Sequence, residues 1–256
     1  MQPIVRTEQL CRNFGAVVAA DNITVAISPG EVVGVIGANG AGKTTFVNMV
    51  TGYLKPSAGK IYFRDRDITR LKPRQVMRIG ICRSFQIAQL FPELSVLDNL
   101  LVAVSSSDSA WPHFLKPLKS PARIAAAEQV LADYRIEGFR DTVVATLPQG
   151  VRKLVDIAMA MVSRPAVLLL DEPTSGVSVE EKFAMLDTIM AALRGAGATT
   201  LFVEHDIEIV ERYATRVLAF YDGRIIADAD PETALNDADV RRYVVGSQIH
   251  RRQVRE

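Results

Sequence analysis

Cysteine is scarce in this sequence: Cys11 and Cys82 are the only two among 256 residues. Two thiols at that separation form neither a disulfide framework nor a zinc spacing, and both read as small buried side chains. Charge of one sign is also missing, since 30 Lys and Arg stand against 29 Asp and Glu for a net charge of +1. That balance argues against nucleic acid as a partner. Apolar runs such as Leu100–Val104 and Ala166–Leu170 fall far short of the roughly 20 residues that cross a bilayer. The opening Met1-Gln2-Pro3-Ile4-Val5-Arg6 lacks the basic start and apolar stretch of an export signal, so the cytoplasm is the expected compartment. No fixed repeat is present, and low complexity is confined to Ser105-Ser106-Ser107-Asp108-Ser109.

What is present is the composition of an ordinary globular chain, 48% hydrophobic and 23% charged. Apolar periodicity predicts strands over Ile23–Ile27, Glu31–Ile36, Lys60–Phe63 and Ile79–Arg83, with a helix over Lys43–Val50. After Asp98 the texture turns helical, through Leu100–Val104 and, past a polar stretch ending near Pro121, Ala122–Tyr134. From Val151 the alternation returns: a helix to Val162, the strand Ala166–Leu170, a helix over Val179–Leu193, the strand Thr199–Val203 and a strand pair around Asp222-Gly223. Such alternation implies a largely parallel sheet covered on both faces. From residue 241 onward five arginines face Glu256 alone, which suits either a solvated tail or one drawn to anionic headgroups.

The segment Gly37-Ala38-Asn39-Gly40-Ala41-Gly42-Lys43-Thr44 fits the pattern G-x-x-x-x-G-K-[ST], after an apolar strand and before a helix. Glycines there let successive N–H groups face phosphate oxygens, the helix adds its positive end, and Lys43 supplies a cation to the β and γ phosphates. The Thr44 hydroxyl is the expected ligand for Mg²⁺, which needs only one or two further protein oxygens. A second apolar strand closes on Asp171 and Glu172. These predict, in turn, a metal-holding carboxylate and one that orients the attacking water. His205 follows the strand Thr199–Glu204 and is expected at the γ-phosphate, while the Gln86 amide oxygen is a further metal candidate.

Together these residues resemble the ATPase subunit of an ATP-binding cassette transporter, over roughly residues 4 to 246. The likeness leans toward the branched-chain or hydrophobic amino acid uptake type. It is carried by Gly80-Ile81-Cys82-Arg83-Ser84-Phe85-Gln86, by Leu90-Phe91-Pro92-Glu93-Leu94-Ser95-Val96-Leu97-Asp98-Asn99-Leu100 and by Arg242-Tyr243-Val244-Val245-Gly246. The resemblance implies an α/β fold: a P-loop NTPase core over residues 1–86 and 151–246 with an antiparallel β subdomain, an inserted α-helical subdomain over 87–150, and a basic tail over 247–256. It implies ATP and Mg²⁺ as cofactors. It further implies Phe14 stacked on adenine, Gln86 as the lid-loop glutamine that contacts the membrane subunit, His205 as the switch histidine, and Thr45 beside Thr44 in the phosphate site. The implied partners are a homologous ATPase in a homo- or heterodimer, transmembrane permease subunits and, indirectly, a periplasmic or extracellular binding protein. The implied place is the cytoplasmic face of a bacterial-type inner membrane.

The departures from the family pattern lie in two loops. The signature loop, usually L-S-G-G-Q, reads Leu147-Pro148-Gln149-Gly150-Val151, and Ser178 stands where aspartate is common. In such ATPases the signature loop, here Leu147, Gln149 and Gly150, caps the γ-phosphate of the opposite subunit, and Pro148 offers it neither hydroxyl nor N–H. An asymmetric pair with a sister ATPase is therefore expected, in which this chain's own phosphate loop is competent. Rival readings are a soluble phosphate-loop kinase or GTPase, a DNA-repair or translation cassette, an exporter subunit such as that of lipopolysaccharide transport, and a binding-only regulator. No guanine-reading Asn-Lys-x-Asp occurs, and neither a tandem cassette nor a coiled-coil insertion is present.

Overall fold

The structure, a computed structural model, describes residues 2–84, 90–107 and 117–246. Two long strands come first, β1 (Val5–Phe14) and β2 (Val17–Ile27), followed by β3 (Val32–Gly37), α1 (Lys43–Val50), β4 (Ala58–Phe63), β5 (Arg66–Asp67), α2 (Pro73–Arg78) and β6 (Ile81–Ser84). The helices α3 (Val96–Ser107), α4 (Pro121–Asp133) and α5 (Gln149–Met161) come next. Then follow β7 (Val167–Asp171), α6 (Val179–Gly195), β8 (Thr199–Val203), α7 (Ile207–Tyr213), β9 (Arg216–Tyr221) and β10 (Arg224–Ala229). The described chain closes with α8 (Pro231–Asn236), α9 (Ala238–Val240) and a π-helical turn at Arg241–Val245.

The six-stranded sheet runs β10-β9-β3-β8-β7-β6, parallel except for the antiparallel pair β9 and β10. Its inner strands β3, β7 and β8 are buried along their whole length because both faces are covered, and the period of two sends alternate residues to different partners. Val32 and Ile36 of β3, Leu168 and Leu170 of β7, and Phe202 of β8 join a core with α3 to α7. Val33, Val35, Leu169 and Leu201 point the other way, against α1 and the second sheet. That sheet is antiparallel, ordered β2-β1-β4-β5. The first core continues without a break into the helices between β6 and β7, through Val96, Leu100, Leu101, Ala127, Leu131 and Val144. Beneath them Asn99 is fully buried, and its amide bonds Phe91 N–H, Phe91 O and Ser95 O, tying the connection before α3 to the helix.

The expected α/β architecture, with its parallel sheet, antiparallel subdomain and helical insertion, is the one observed. Several local expectations are corrected. Val5–Phe14, unassigned by its pattern, is a strand, whose alternation breaks where Gln9 takes φ 47° and the pairing register shifts between Thr7 and Leu10. The strand expected from Ile79 starts at Ile81, because Ile79 closes α2 by donating its N–H to Gln75 O at 3.2 Å. The helix expected from Val151 starts at Gln149, since Pro148 sits just ahead of it, where its fixed φ fits and its missing N–H is not needed. Cys82 is buried as expected, but Cys11 is half-buried.

Leu169, 1% exposed at the centre of β7, has no room to collapse around a truncation. Leu169→Ala is expected to lower stability by about 2 to 5 kcal/mol, read as a lower urea midpoint with an unchanged slope.

Candidate nucleotide site

The carboxyl ends of β3, β7 and β8 lie side by side, Val35 and Asp171 both pairing with Val203. The Gly37–Thr44 loop, Asp171, Glu172 and His205 therefore converge on one edge, where open parallel sheets take their ligands. Between β3 and α1 the chain folds back so closely that a Cβ on Gly37 (φ +152°) would lie 2.5 Å from Phe220 O, and one on Gly42 (φ +104°) 2.6 Å from Ala19 O. Only glycine fits both positions. Gly42 is the N-cap of α1, with no side-chain cap and no acid in the first turn. The first N–H groups of the helix, those of Lys43, Thr44 and Thr45, are thus left for an outside acceptor, at the positive end of the helix dipole.

Lys43 is 6% exposed and donates from Nζ to Gly37 O at 2.6 Å and Ala38 O at 3.0 Å. Burial lowers its pKa, against the opposing pull of Glu172 and Asp171. Asn39, Gly40 and Thr44 are exposed, Ala38 and Thr45 half-buried, and Ala41 buried. Asp171 is held by Arg83, Nη2 to Oδ2 at 2.5 Å, and Arg83 also reaches Asn48 Oδ1 of α1 at 2.5 Å. Glu172 has φ 48° and anchors its own N–H on Val203 O at 3.0 Å, which turns its side chain toward His205; Nε2 and Oε1 are 3.0 Å apart.

The fit to a metal follows from the donors. Thr44 presents an exposed hydroxyl, and Asp171, with one oxygen engaged by Arg83, keeps acceptor capacity on the other. Among the described residues no cluster of three His, Cys, Asp or Glu exists to form an all-protein cage. Sparse hard oxygens of this kind suit Mg²⁺, which keeps several waters.

Other expected site residues lie apart. Phe14 sits on the β1–β2 hairpin, 47% exposed, with the Arg12 guanidinium 4.6 Å from its ring centre. Leu147 is 4% exposed and belongs to the helical core, so its side chain offers no surface to a ligand. Gln149 and Gly150 begin α5 rather than a loop, and they face Gly176, Val177 and Glu181. Ser178 N-caps α6 by accepting the Glu181 N–H at 3.3 Å, the capping an aspartate would also provide. Gln86 and residues 247–256 lie outside the described residues.

Glu204 was missed from sequence. It is buried at the end of β8, where Oε1 accepts from Thr174 N at 3.1 Å and Thr174 Oγ1 at 2.7 Å, and Oε2 from the His205 N–H at 3.2 Å. It locks the loop after Glu172 to the loop that carries His205. The available signal was an apolar strand closing on an acid directly beside His205.

With this geometry in hand, the comparisons decide the family. The sequence profile described as ABC transporter matches residues 20–175. The chain is 35% identical over 253 residues to the high-affinity branched-chain amino acid transport ATP-binding protein LivG of Escherichia coli K12, covering 96% of this chain and 98% of that one. This chain belongs to the ATP-binding subunits of ABC transporters. As an ABC transporter ATPase it is also 32% identical to BraF of Pseudomonas aeruginosa, likewise a high-affinity branched-chain amino acid transport ATP-binding protein, over 96% and 98% of the two chains. The ADP conformation of MJ1267, an ATP-binding cassette of an ABC transporter, superposes with a TM-score of 0.84 at 30% identity, over 94% of this chain and 98% of that one. The ABC ATPase contains no helix long and apolar enough to cross a membrane, among the described residues.

Burial raises the Glu204 carboxyl above its ordinary value, outweighing its three hydrogen bonds. Its folded form then holds a proton more tightly than its unfolded form, so it costs no stability at low pH and subtracts stability as pH climbs from about 4.5 through the raised value. Urea unfolding of the parent and Glu204→Gln at pH 5 and pH 7.5 should show the parent losing ground to the variant as pH rises.

Proposed function

We propose that this ATPase energises uptake of branched-chain or other hydrophobic amino acids, or related small organic acids, as a peripheral subunit on the cytoplasmic face of a permease. The single observation that carries the catalytic part is the convergence of the Gly37–Thr44 loop, Asp171 and the Glu172–His205 pair on one sheet edge. The names of the relatives, which describe branched-chain amino acid transport, support the substrate class.

In this reading the N–H groups of the loop and of the first turn of α1 hold the β and γ phosphates, and Lys43 exchanges its two carbonyl partners for phosphate oxygens. Thr44, Asp171 and Gln86 would hold Mg²⁺, which when bound would supply neutralisation of phosphate charge. Glu172 accepts a proton from the attacking water, and His205, already in contact with it, keeps that carboxylate aimed while contacting the γ-phosphate. Phe14 stacks on the base, its ring being half exposed with Arg12 over it.

The opposite half of each site comes from a second cassette. Gln149 and Gly150, in the first turn of α5, would cap the nucleotide of the partner through the helix end, with Leu147 anchoring that end in the core and Pro148 at the position from which a serine hydroxyl would bond the γ-phosphate. One charge-assisted hydrogen bond is worth about 1.5 to 3 kcal/mol, so the partner's site is slowed about 10- to 150-fold. The preferred assembly is therefore a heterodimer with an ATPase whose signature loop is intact. Binding of ATP across both interfaces closes the dimer, and the lid loop at Gln86 passes closure to membrane helices.

Hydrolysis of ATP by the purified chain, alone and with its sister ATPase, tests this reading. Activity should rise several-fold with the sister, and Glu172→Gln should keep ATP affinity while losing about 10²- to 10⁴-fold in rate. Pro148→Ser should raise the rate of the homodimer. A parent homodimer as fast as one with an intact signature loop would remove the asymmetry, and ATP binding without turnover in any assembly would favour a regulator.

A further inference from the structure

The terminal Arg242-Tyr243-Val244-Val245-Gly246 takes no part in the site described above, yet the fold brings it to the back of the phosphate loop. Val240 and Val244 are fully buried in the core that holds Val32, Ile36, Val217 and Ala219, fixing the segment on the helical face of β3 and β9. Between these anchors the helix widens: the Gly246 N–H reaches back to Arg241 O, the five-residue spacing of a π turn, a form that recurs at functional sites. Tyr243 then lies flat on Tyr221, with ring centres 4.3 Å apart and planes at 24°, and the Arg242 guanidinium lies 5.1 Å from the Tyr243 ring centre.

Tyr221 is the last residue of β9, and the turn it leads into, Asp222-Gly223, bonds both the phosphate loop and β2. Gly223 donates its N–H to Ala41 O of the phosphate loop at 3.0 Å and accepts the Asp21 N–H of β2 at 2.8 Å. The carbonyl of Phe220 is the atom that a side chain on Gly37 would strike, and the Phe220 ring packs 5.5 Å from that of Phe46 in α1. The end of β9 and the turn after it thus touch the loop, the helix that follows it, and the strand leading from the hairpin that bears Phe14.

We propose that Tyr243 is a positioning residue for ATP. By stacking on Tyr221 it holds the β9–β10 turn against Ala41, and so keeps the phosphate loop in its binding shape before nucleotide arrives. The inference rests on the phosphate-loop reading given above. An aromatic pair of this geometry contributes about 0.5 to 1.5 kcal/mol, which corresponds to about a two- to tenfold change in an equilibrium constant.

The test is calorimetric titration of ATP into the full chain, with the thermal unfolding midpoint of each variant measured alongside. Tyr243→Ala and Tyr221→Ala should each weaken ATP binding about two- to tenfold. Tyr243→Phe, which keeps the stack, should bind like the parent, and the double alanine variant should be no weaker than either single one. Parental ATP affinity in Tyr243→Ala overturns the proposal, as does equal weakening in Tyr243→Phe or full multiplication of the two effects in the double variant. Should Tyr243→Ala fail to fold, the half-exposed Tyr221→Ala carries the same test. A parent chain that binds no ATP would instead remove the phosphate-loop reading itself.

Discussion

The constraint on which the nucleotide site depends is between backbone and backbone. The phosphate loop lies against Phe220 O at one end and Ala19 O at the other, at separations no side chain tolerates. Because the loop is pressed onto a strand of each sheet, its shape is set by the packing of both, rather than by the loop sequence alone. The alternating side chains of β3 and β9 then fix where that contact occurs, sending Val33, Val35, Leu218 and Phe220 to the α1 side and Val32, Ile36, Val217 and Ala219 to the helical side. A slip of one residue in either strand would exchange the two sets and pull the loop from its seat.

A second layer of constraint is electrostatic and runs between strand ends. Arg83 on β6 bridges Asp171 on β7 to Asn48 on α1, and Glu204 bridges the loops after β7 and β8. Buried charges of this sort are costly to leave alone, which makes their pairing more a matter of geometry than of net stability. They hold Asp171, Glu172 and His205 in one register while the loops between them remain short.

The chemistry was more legible in the sequence than the support beneath it. Gly37–Thr44, Asp171-Glu172 and His205 could be read because each sits where a strand ends, and apolar strands announce their ends. Val5–Phe14 could not, because the bulge at Gln9 breaks the period of two that a strand is recognised by. The start of α5 was misplaced because Pro148 and Gly150 look like a loop, although proline is well suited to the position before a helix. Arg83 and Glu204 act through contacts between distant segments, and spacing along one chain carries no trace of such contacts. Leu147 is a position in a recognised loop pattern whose side chain belongs to the core, a burial the pattern does not reveal.

The backbone of Glu172 has one further consequence. At φ 48° a residue with a Cβ bears a strain of about 1 to 2 kcal/mol that glycine escapes. The residue is therefore held in a backbone conformation that costs it free energy, and a single change to glycine would relax the chain while removing the carboxylate that faces His205. Selection for heat resistance alone would push this position toward glycine, so an acid kept there in a thermally hardened descendant would record selection for something other than stability.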